Sequence, residues 1–416
     1  MRKKVVRTTG FALVAALGVT LAACGGDDAG SEPASTEAPS EAGESGESGE
    51  SSGSTFTMAN FDSWEALGAG DSPVIDCRPE PGPLKAAWIY VGPINDGGWT
   101  TAHNKGREAV QAEFGDAIVT TYKENVPEGP QVAQVIEDLI ADGNTLIFGT
   151  SFGFQDAFVE AAGNHPDVCF EFATGYIPGP NLSQFTGAAE DAAWLTGMAA
   201  GAASKTGKLG LLASFPIPEV LRGINAWTLG ARETYPGAEV QLIWTNTWFD
   251  PALERKTAEI LIAEGADVVG VVAQDSPASG EAANEAGIPW SGYDSDQSEN
   301  FPDVWLSAAT YDWSVYEIPR VRAVLEGNWI AGNYYGDMAD GHIVLAPLGP
   351  IVSEETRALI AEKTEIVKGQ SGVMFTGPLS DNKGNQILAD GVAATFAELM
   401  SMNYLVEGIK GEIPSS

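Results

Sequence analysis

Basic side chains are scarce in this chain of 416 residues, which has 22 Lys and Arg against 57 Asp and Glu and a formal net charge of −35. Binding to nucleic acid or to an anionic membrane surface depends on clustered Lys and Arg, so this balance argues against both kinds of partner. The acidic excess by itself indicates a well-solvated surface and no specific ligand.

Cysteine and histidine are also rare, with three residues of each. Their spacing fits no metal site, and the sequence contains neither a His-Glu-x-x-His pattern nor a phosphate-binding Gly-x-x-x-x-Gly-Lys-[Ser/Thr] pattern. We therefore expect no metal and no cofactor. Apart from Cys24, the cysteines are Cys77 and Cys169, which are candidates for a disulfide outside the cytoplasm. Two separately buried thiols are the alternative.

The chain begins without an apolar run long enough to span a bilayer. Phe11 to Ala23 is apolar and follows four basic residues, but it is shorter than the roughly 20 residues that a membrane helix needs. Residues 1–23 therefore resemble a secretory signal. Their ending, Leu21-Ala22-Ala23-Cys24, resembles a bacterial lipobox, which predicts lipidation of the Cys24 thiol. An ordinary secretory signal that contains a cysteine is the alternative.

Aromatic and basic residues are absent from Gly25 to Thr55, a segment of Gly, Ser, Ala, Pro, Thr, Asp and Glu. Such a composition cannot bury enough apolar surface to offset the entropy lost on ordering, so it predicts disorder. We expect residues 24–55 to form a lipid-attached tether on the outer face of the cell membrane. Residues 56–84 are then an N-terminal extension of the globular part.

From about Lys85 onward, strand-like runs alternate with amphipathic helical runs, which is typical of parallel α/β architecture. One series of these units spans 85–200 and a second spans 201–313, and parts of 314–416 are expected to complete both. The predicted fold class is α/β, with two doubly wound parallel-sheet lobes that face each other.

The predicted strand ends carry unusual sequences, and ligands of open parallel sheets bind at the carboxyl ends of the strands. Glycines or small polar residues occur there with an aromatic ring, a carboxylate or both, at 95–100, 149–156, 246–250, 274–276 and 292–296. Glycine permits close backbone approach, aromatic faces stack on planar rings, and carboxylates accept hydrogen bonds. The recurrence in both lobes predicts a cleft that holds a planar, donor-rich ligand.

A competing pattern is Gly149-Thr150-Ser151-Phe152-Gly153, which matches the Gly-x-Ser-x-Gly nucleophile elbow of hydrolases and lies between a strand and a helix. A secreted esterase would use Ser151 with a histidine further along the chain. His165 precedes a strand and His342 begins one, and neither has an obvious acidic partner. The hydrolase is therefore the weaker hypothesis.

Ile89-Tyr90-Val91-Gly92-Pro93, together with the segment 96–100, resembles the opening of the basic membrane protein family. These are substrate-binding lipoproteins of ABC importers, and they include purine nucleoside receptors. Further similar segments are 216–223, 247–250 and 375–381. The resemblance implies a type I periplasmic-binding-protein-like fold, whose two lobes close over ligand about a hinge with crossings near 188–206, near 308–313 and in the last third.

The same resemblance implies a receptor that hands its ligand to an ABC permease and ATPase and is not an enzyme. We expect it to act as a monomer. A ligand-sensing lipoprotein that signals to a membrane kinase is the alternative.

Carried over by position, the resemblance makes Asp96, Trp99 and Thr100 ligand contacts from the first loop. The nucleoside receptors have a Phe-Asn pair at the positions of Trp99 and Thr100. Asp156 corresponds to the carboxylate that contacts the base, and Trp248 to the aromatic stacker of the second lobe.

Either Asp294 or Asp296 corresponds to the carboxylate that faces the sugar. Asp294 directly follows a strand and is favoured, while Asp296 is also placed to cap the next turn. Phe152 and Asp275 are candidates from loop position alone, with a core or capping role as the alternative.

The nucleoside receptors use a lysine on the ribose, and the matching position here is Thr310. A shorter neutral side chain loses that reach, and nearby Tyr311 and Trp313 add bulk. The predicted ligand is therefore a free purine base such as adenine, with a nucleoside second and a non-purine small molecule third. The alternative is that Thr310 is not the matching position and another residue holds the sugar.

Overall fold

A computed structural model describes residues 58–63, 73–78 and 81–414 of the chain. The predicted signal, the Cys24 lipidation site and the tether lie outside the described residues. No helix in the described part of the chain has both the length and the apolar character needed to cross a bilayer.

Strands and helices alternate through most of the described sequence. In chain order the strands are β1 Met58–Ser63, β2 Leu84–Ile89, β3 Ile118–Lys123, β4 Leu146–Gly149, β5 Cys169–Ala173, β6 Leu182–Gly187, β7 Lys208–Ala213, β8 Glu239–Trp244, β9 Val268–Val272, β10 Trp290–Asp294, β11 Trp305–Tyr311, β12 Gly332–Gly336, β13 Ile343–Leu345, β14 Leu379–Ser380, β15 Gln386–Leu388 and β16 Ile409–Lys410. The helices are α1 Trp99–Phe114, α2 Gln131–Ala141, α3 Gln155–Asn164, α4 Ala189–Ala203, α5 Pro218–Thr234, α6 Pro251–Ala263, α7 Ala278–Ala286, α8 Ser314–Glu326, α9 Glu354–Gly369 and α10 Phe396–Met400.

Two sheets of seven strands each define two lobes. The first has the order β1-β12-β6-β5-β4-β2-β3, and only β1 runs antiparallel to its neighbour. The second has the order β13-β11-β10-β9-β7-β8-β16, and only β13 is antiparallel. Buried central strands such as β4 and β9 are continuously apolar, as expected for strands covered on both faces. The predicted α/β class with two parallel-sheet lobes is confirmed.

The chain passes between the lobes three times within the described residues. It crosses after β6 through α4 into β7, after β11 through α8 into β12, and again between β12 and β13. Close packing supports the first crossing, since a Cβ on Gly197 of α4 would lie 2.0 Å from the carbonyl oxygen of Trp227 in α5. These crossings form the connection about which the lobes can move.

The start of the described chain is attached to the edge of the first lobe. β1 pairs with β12, with Met58 opposite Tyr335 and Ser63 opposite Gly332. A disulfide then joins Cys77 to Cys169, the first residue of β5, with 5.9 Å between their Cα atoms. A hydrogen-bond ladder and a covalent bridge thus both hold this segment on the first lobe.

Candidate functional site

A cavity lies between the lobes, at the carboxyl ends of their parallel strands. This is where open α/β sheets bind ligands. The first lobe lines it with Val91, Trp99, Thr150, Ser151, Phe152 and Thr174, and the second lobe with Ile217, Glu219, Val220, Trp248, Ala273, Asp275, Tyr293 and Asp294.

Trp99, the first residue of α1, forms part of the first-lobe wall. Its indole Nε1 donates to the backbone oxygen of Thr150 at 2.6 Å. The ring packs edge-on against Tyr311 and Trp313, with centroids 5.5 and 5.1 Å away. Because these contacts hold it in place, Trp99 presents a fixed aromatic surface to the cavity.

Asp96 and Thr100 lie at the start of α1, where they bond to each other, and they do not face the cavity. Oδ1 of Asp96 accepts from the backbone N–H groups of Gly98 and Thr101, both at 2.9 Å, and Oδ2 accepts from the N–H of Thr100 at 2.9 Å. Both side chains are buried and neither lines the cavity. The structure therefore places Asp96 as the acceptor for the free amides of the helix.

Asp156 is exposed in the first turn of α3 and does not line the cavity, so it makes no contact there in this structure. The adjacent Gln155 is buried, and its Oε1 accepts from the backbone N–H of Tyr176 at 2.8 Å. Phe152, in the short 3-10 turn before α3, does line the cavity. From this loop an aromatic ring, and not the predicted carboxylate, reaches the site.

Trp248 provides the aromatic surface of the second lobe. Its ring lies 4.7 Å from the ring of Phe215, and its indole Nε1 donates to Oε1 of Glu128 in the first lobe at 3.1 Å. The same Glu128 oxygen accepts from the Ser151 hydroxyl at 2.6 Å and from the backbone N–H of Gly153 at 2.9 Å. Glu128 thus links the wall of its own lobe to a ring of the other lobe.

Asp294 is the last residue of β10 and is only 3% exposed. Neither carboxylate oxygen has a hydrogen-bond partner among the described residues. Its φ of +60° lies in the left-handed region, which Asp tolerates better than most residues. Burial, together with the charge of Asp96, raises the pKa of the Asp294 carboxyl well above its ordinary value. An unpartnered acid at this depth needs donors from a bound molecule.

Asp275 lies on the same wall and is 3% exposed. Burial, with the charges of Asp96 and Asp294 nearby, raises the pKa of the Asp275 carboxyl well above the ordinary range. Two acids that share a dry cavity cannot both ionise easily, so the pair retains a proton to higher pH than free aspartic acid.

The other two predicted sugar-side positions are engaged elsewhere. Asp296 is exposed and its Oδ1 accepts from the backbone N–H of Ser298 at 2.9 Å, which is the turn cap considered above. Thr310 donates from Oγ1 to the backbone oxygen of Val344 at 2.9 Å and does not line the cavity.

The lobes touch across the cleft, so the structure is closed. A Cβ on Gly98 would lie 2.6 Å from the backbone of Asp275, which means that only glycine fits here. Nε2 of Gln297 donates to the backbone oxygen of Gly97 at 3.1 Å, and the Ser295 hydroxyl donates to the same oxygen.

The hydrolase hypothesis finds no support in the geometry. The Ser151 hydroxyl donates to Glu128, while His165 bonds to Glu137 at 2.9 Å on the surface. No hydrogen bond joins Ser151 to a histidine within the described ranges. The described residues likewise contain no group of three or more acidic, His or Cys side chains arranged to hold a metal.

Two acidic residues of the site, Glu128 and Glu219, were not predicted from the sequence. Glu128 follows β3 by five positions in a loop without an aromatic or glycine cluster, and its role appears only when the lobes meet. Glu219 lies inside the segment 216–223 that resembles the family, and its position one residue after the start of α5 was the available signal.

Comparison with known proteins agrees with this architecture. The sequence model of the family described as ABC transporter substrate-binding protein PnrA-like matches residues 84–377. The chain is 37% identical over 333 residues to a purine-binding protein of Brucella abortus (strain 2308), a match covering 80% of this chain and 94% of that protein. It is 35% identical over 333 residues to a Haloferax volcanii protein named as an ABC transporter glucose-binding protein, covering 80% and 82%.

Solved structures share the fold at lower identity. An ABC transporter solute-binding protein from Aeropyrum pernix K1 aligns with a TM-score of 0.62 and 17% identity, covering 72% of this chain and 93% of that one. One from Conexibacter woesei DSM 14684 aligns with a TM-score of 0.56 and 20% identity, covering 68% and 96%. The predicted type I periplasmic-binding-protein-like fold is confirmed.

Proposed function

This chain belongs to the PnrA-like family of ABC transporter substrate-binding proteins, and from this premise we propose that it captures a purine, with a free base such as adenine preferred over a nucleoside. The observation that carries the proposal is Asp294, whose buried carboxyl lines the cavity with both oxygens unpartnered among the described residues. A ligand that supplies hydrogen bonds to this group removes the cost of burying it.

The ring of the ligand is accounted for by two indoles. Trp99 and Trp248 line the cavity from opposite lobes. Trp99 is held by its contact with Trp313, and Trp248 by its contact with Phe215. Stacking of a nucleobase on an aromatic side chain contributes about 1–3 kcal/mol. A flat heterocycle uses both surfaces only when the lobes are closed, which couples binding to closure.

The hydrogen-bonding edge of the ligand is inferred from Asp294 and Asp275, whose carboxyl pKa values are raised by burial and by the charge of nearby acids, Asp96 above all. A protonated carboxyl donates one hydrogen bond and accepts another. Adenine has an amino donor beside a ring nitrogen acceptor, whereas guanine has two acceptors on the same edge. This match favours adenine.

The preference for a base over a nucleoside is supported by Thr310. This position corresponds to the ribose-binding lysine of the nucleoside receptors that the sequence resembles, and its hydroxyl is bonded to the backbone of Val344. Among the described residues no cationic side chain lines the cavity. A sugar would therefore lack the cationic partner that it has in those receptors.

The cellular role follows from the family and the N-terminal sequence. We place the protein at the outer face of the cell membrane, anchored through Cys24 and the acidic tether, where it delivers ligand to an ABC permease and its ATPase. It acts as a monomer and catalyses no reaction in this scheme.

Calorimetric titration of the purified protein, dialysed free of ligand, with adenine, guanine, hypoxanthine, adenosine, guanosine and glucose tests the proposal. Adenine should bind most tightly. Nucleosides that bind at least tenfold more tightly than every base, a gap of about 1.4 kcal/mol, would refute the base preference. Heat from glucose alone would replace the purine by a sugar, as in the name of the Haloferax relative.

A further inference from the structure

A second cavity adjoins the one that holds the ring. The two share Phe152, Thr174, Ile217 and Glu219, while Asp294 lines only the first. The second cavity therefore opens from the wall of the ring site that these four shared residues form. We propose that it is a subsite for an uncharged, largely apolar substituent carried by the ring, a proposal that rests on the proposed function.

The walls of this subsite determine the polarity of its occupant. Tyr176 lies with its ring 5.8 Å from that of Phe152, and Phe396 and Met400 of α10 approach from the C-terminal segment. Pro218 adds a further apolar surface. Burial of an apolar group here gains roughly 25 cal/mol per Å² removed from water, so a bare purine leaves this binding energy unused.

The cationic residue in the lining of the subsite, Arg222, already has an acidic partner. Arg222 is 2% exposed, and its Nε donates to Oε1 of Glu190 at 3.1 Å. Glu190 also accepts from the Tyr335 hydroxyl at 2.6 Å. A phosphate or carboxylate on the ligand would have to compete with this buried pair, and Glu219 at the junction would repel it. The occupant is therefore neutral.

Two polar side chains in the lining of this cavity lack hydrogen-bond partners among the described residues. Gln184 in β6 is 2% exposed and lines the cavity, and its Nε2 is one of these unpartnered groups. The Thr186 hydroxyl, two residues later on the same face of the strand, is also unpartnered. Buried donors are normally satisfied, so the substituent should carry an acceptor such as an ether or hydroxyl oxygen.

Adenine carrying a furfuryl group on its exocyclic amine combines these properties, and the benzyl analogue has a similar shape without the ring oxygen. Titration of the full-length protein in detergent should give a dissociation constant for N-furfuryladenine at least tenfold below that for adenine. N-benzyladenine should fall between the two, since it keeps the apolar contact and lacks the acceptor.

Gln184→Met, which removes the amide at similar length, should make the furfuryl and benzyl compounds bind equally. Ala397→Trp, which fills the subsite from the exposed side of α10, should return both to the affinity of adenine in the same variant. Gln134→Met, at an exposed position on α2, is the matched control and should behave as wild type.

The outcomes separate the subsite from the function beneath it. If adenine binds and neither substituted compound binds more tightly to the wild type, the subsite is refuted and purine capture stands. If no purine binds, the proposed function fails and the subsite fails with it. A gain that survives Ala397→Trp would place the substituent elsewhere and also overturn the proposal.

Discussion

Each lobe contributes a buried aspartate near the cleft, Asp96 in the first lobe and Asp294 in the second, but their hydrogen bonding differs. Asp96 in the first lobe accepts hydrogen bonds from three backbone amides and from a hydroxyl of its own helix. Asp294 in the second lobe is equally buried and has no hydrogen-bond partner among the described residues. An acid whose bonds are satisfied internally stabilises the fold, whereas an acid left without them is available to a ligand.

The same contrast extends to how each lobe is held. The first lobe has the Cys77–Cys169 bridge and the added strand β1, and the second has no disulfide within the described residues. The first lobe is thus stabilised by a disulfide and an added strand, and it presents aromatic rings held in place by their neighbours. The second supplies the titratable groups Glu219, Asp275 and Asp294 that line the cavity.

The largest expected effect separates the two acids directly. Asp294→Gly, which removes the carboxyl and suits the left-handed φ of this position, should weaken adenine binding at least 100-fold, about 2.8 kcal/mol, because both hydrogen bonds to the ligand are lost. The thermal midpoint of the free protein should stay unchanged or rise, since an unpartnered buried acid is removed. Asp96→Asn should instead lower the free energy of unfolding by about 1–2 kcal/mol, because a charged acceptor for the first amides of α1 is lost. Titration and thermal unfolding of both variants make the comparison.

Asp156→Asn is the control for these variants, since Asp156 is exposed and outside the cavity. It should change adenine affinity less than twofold. A large loss at Asp156 together with a small one at Asp294 would reverse the assignment and restore the position first predicted from the resemblance.

The disulfide sharpens the comparison of stability. Replacing both Cys77 and Cys169 by Ala should lower the free energy of unfolding by roughly 2–4 kcal/mol, because the bridge closes a loop with a sequence separation of 92 residues. The dissociation constant for ligand should not change, because the bridge lies at the amino end of β5 and the cavity lies at the carboxyl ends of the strands. Urea unfolding with and without reductant measures the first quantity; two free thiols in the unreduced wild type would contradict the bridge.

A smaller effect concerns the hydrogen bond from Trp248 to Glu128, through which the lobes meet. Trp248→Phe keeps a stacking ring and loses the donor, and Glu128→Gln weakens the acceptor. We expect each to speed ligand dissociation several-fold and the pair to show a coupling of about 1 kcal/mol in a double-mutant cycle. Glu137→Gln, at the exposed Glu137 paired with His165, is the control. Strictly additive effects in stopped-flow dissociation would show that the bond does not hold the closed state.

The smallest effect is a pH dependence from Glu219, whose pKa burial raises to about 7 from 4.5. A raised folded-state pKa gives stability that is present below about pH 4.5 and lost as pH rises through about 7. His342 acts oppositely, because burial lowers its pKa to about 3 and its stabilising contribution is lost as pH falls below about 6.5. Wild type must therefore be compared with Glu219→Gln at each pH.

Between pH 4.5 and 7 the free energy of unfolding of Glu219→Gln should rise by on the order of 1 kcal/mol relative to that of wild type, after allowance for solvent screening. Glu299→Gln, at an exposed position, should show no such trend. A constant difference across the pH range would mean that Glu219 titrates normally.

Several elements were predictable because their signals are local. The continuously apolar runs of β4 and β9 indicate buried parallel strands, and the position of Asp294 at the end of β10 distinguishes it from Asp296. By contrast, β12 contains glycine at both ends and carries little strand propensity of its own, so its place beside β6 depends on the rest of the sheet.

The site was only partly predictable for a similar reason. Asp156 and Gln155 are neighbours in the same helical turn, and which of them faces inward depends on how α3 packs. Glu128 acquires its partner only from the opposite lobe. Such roles depend on which segments pack together in the folded protein, and short sequence motifs do not specify that packing.

The attachment of β1 has a mechanical consequence. Any tension that reaches the fold through the residues before Met58 is carried first by the hydrogen bonds between β1 and β12. If that ladder peels, the covalent link from Cys77 to Cys169 stops the unravelling before β2, and the load passes into the centre of the sheet. Cys169 begins β5, at the end of the sheet opposite the cleft, so this path of load bypasses the cavity.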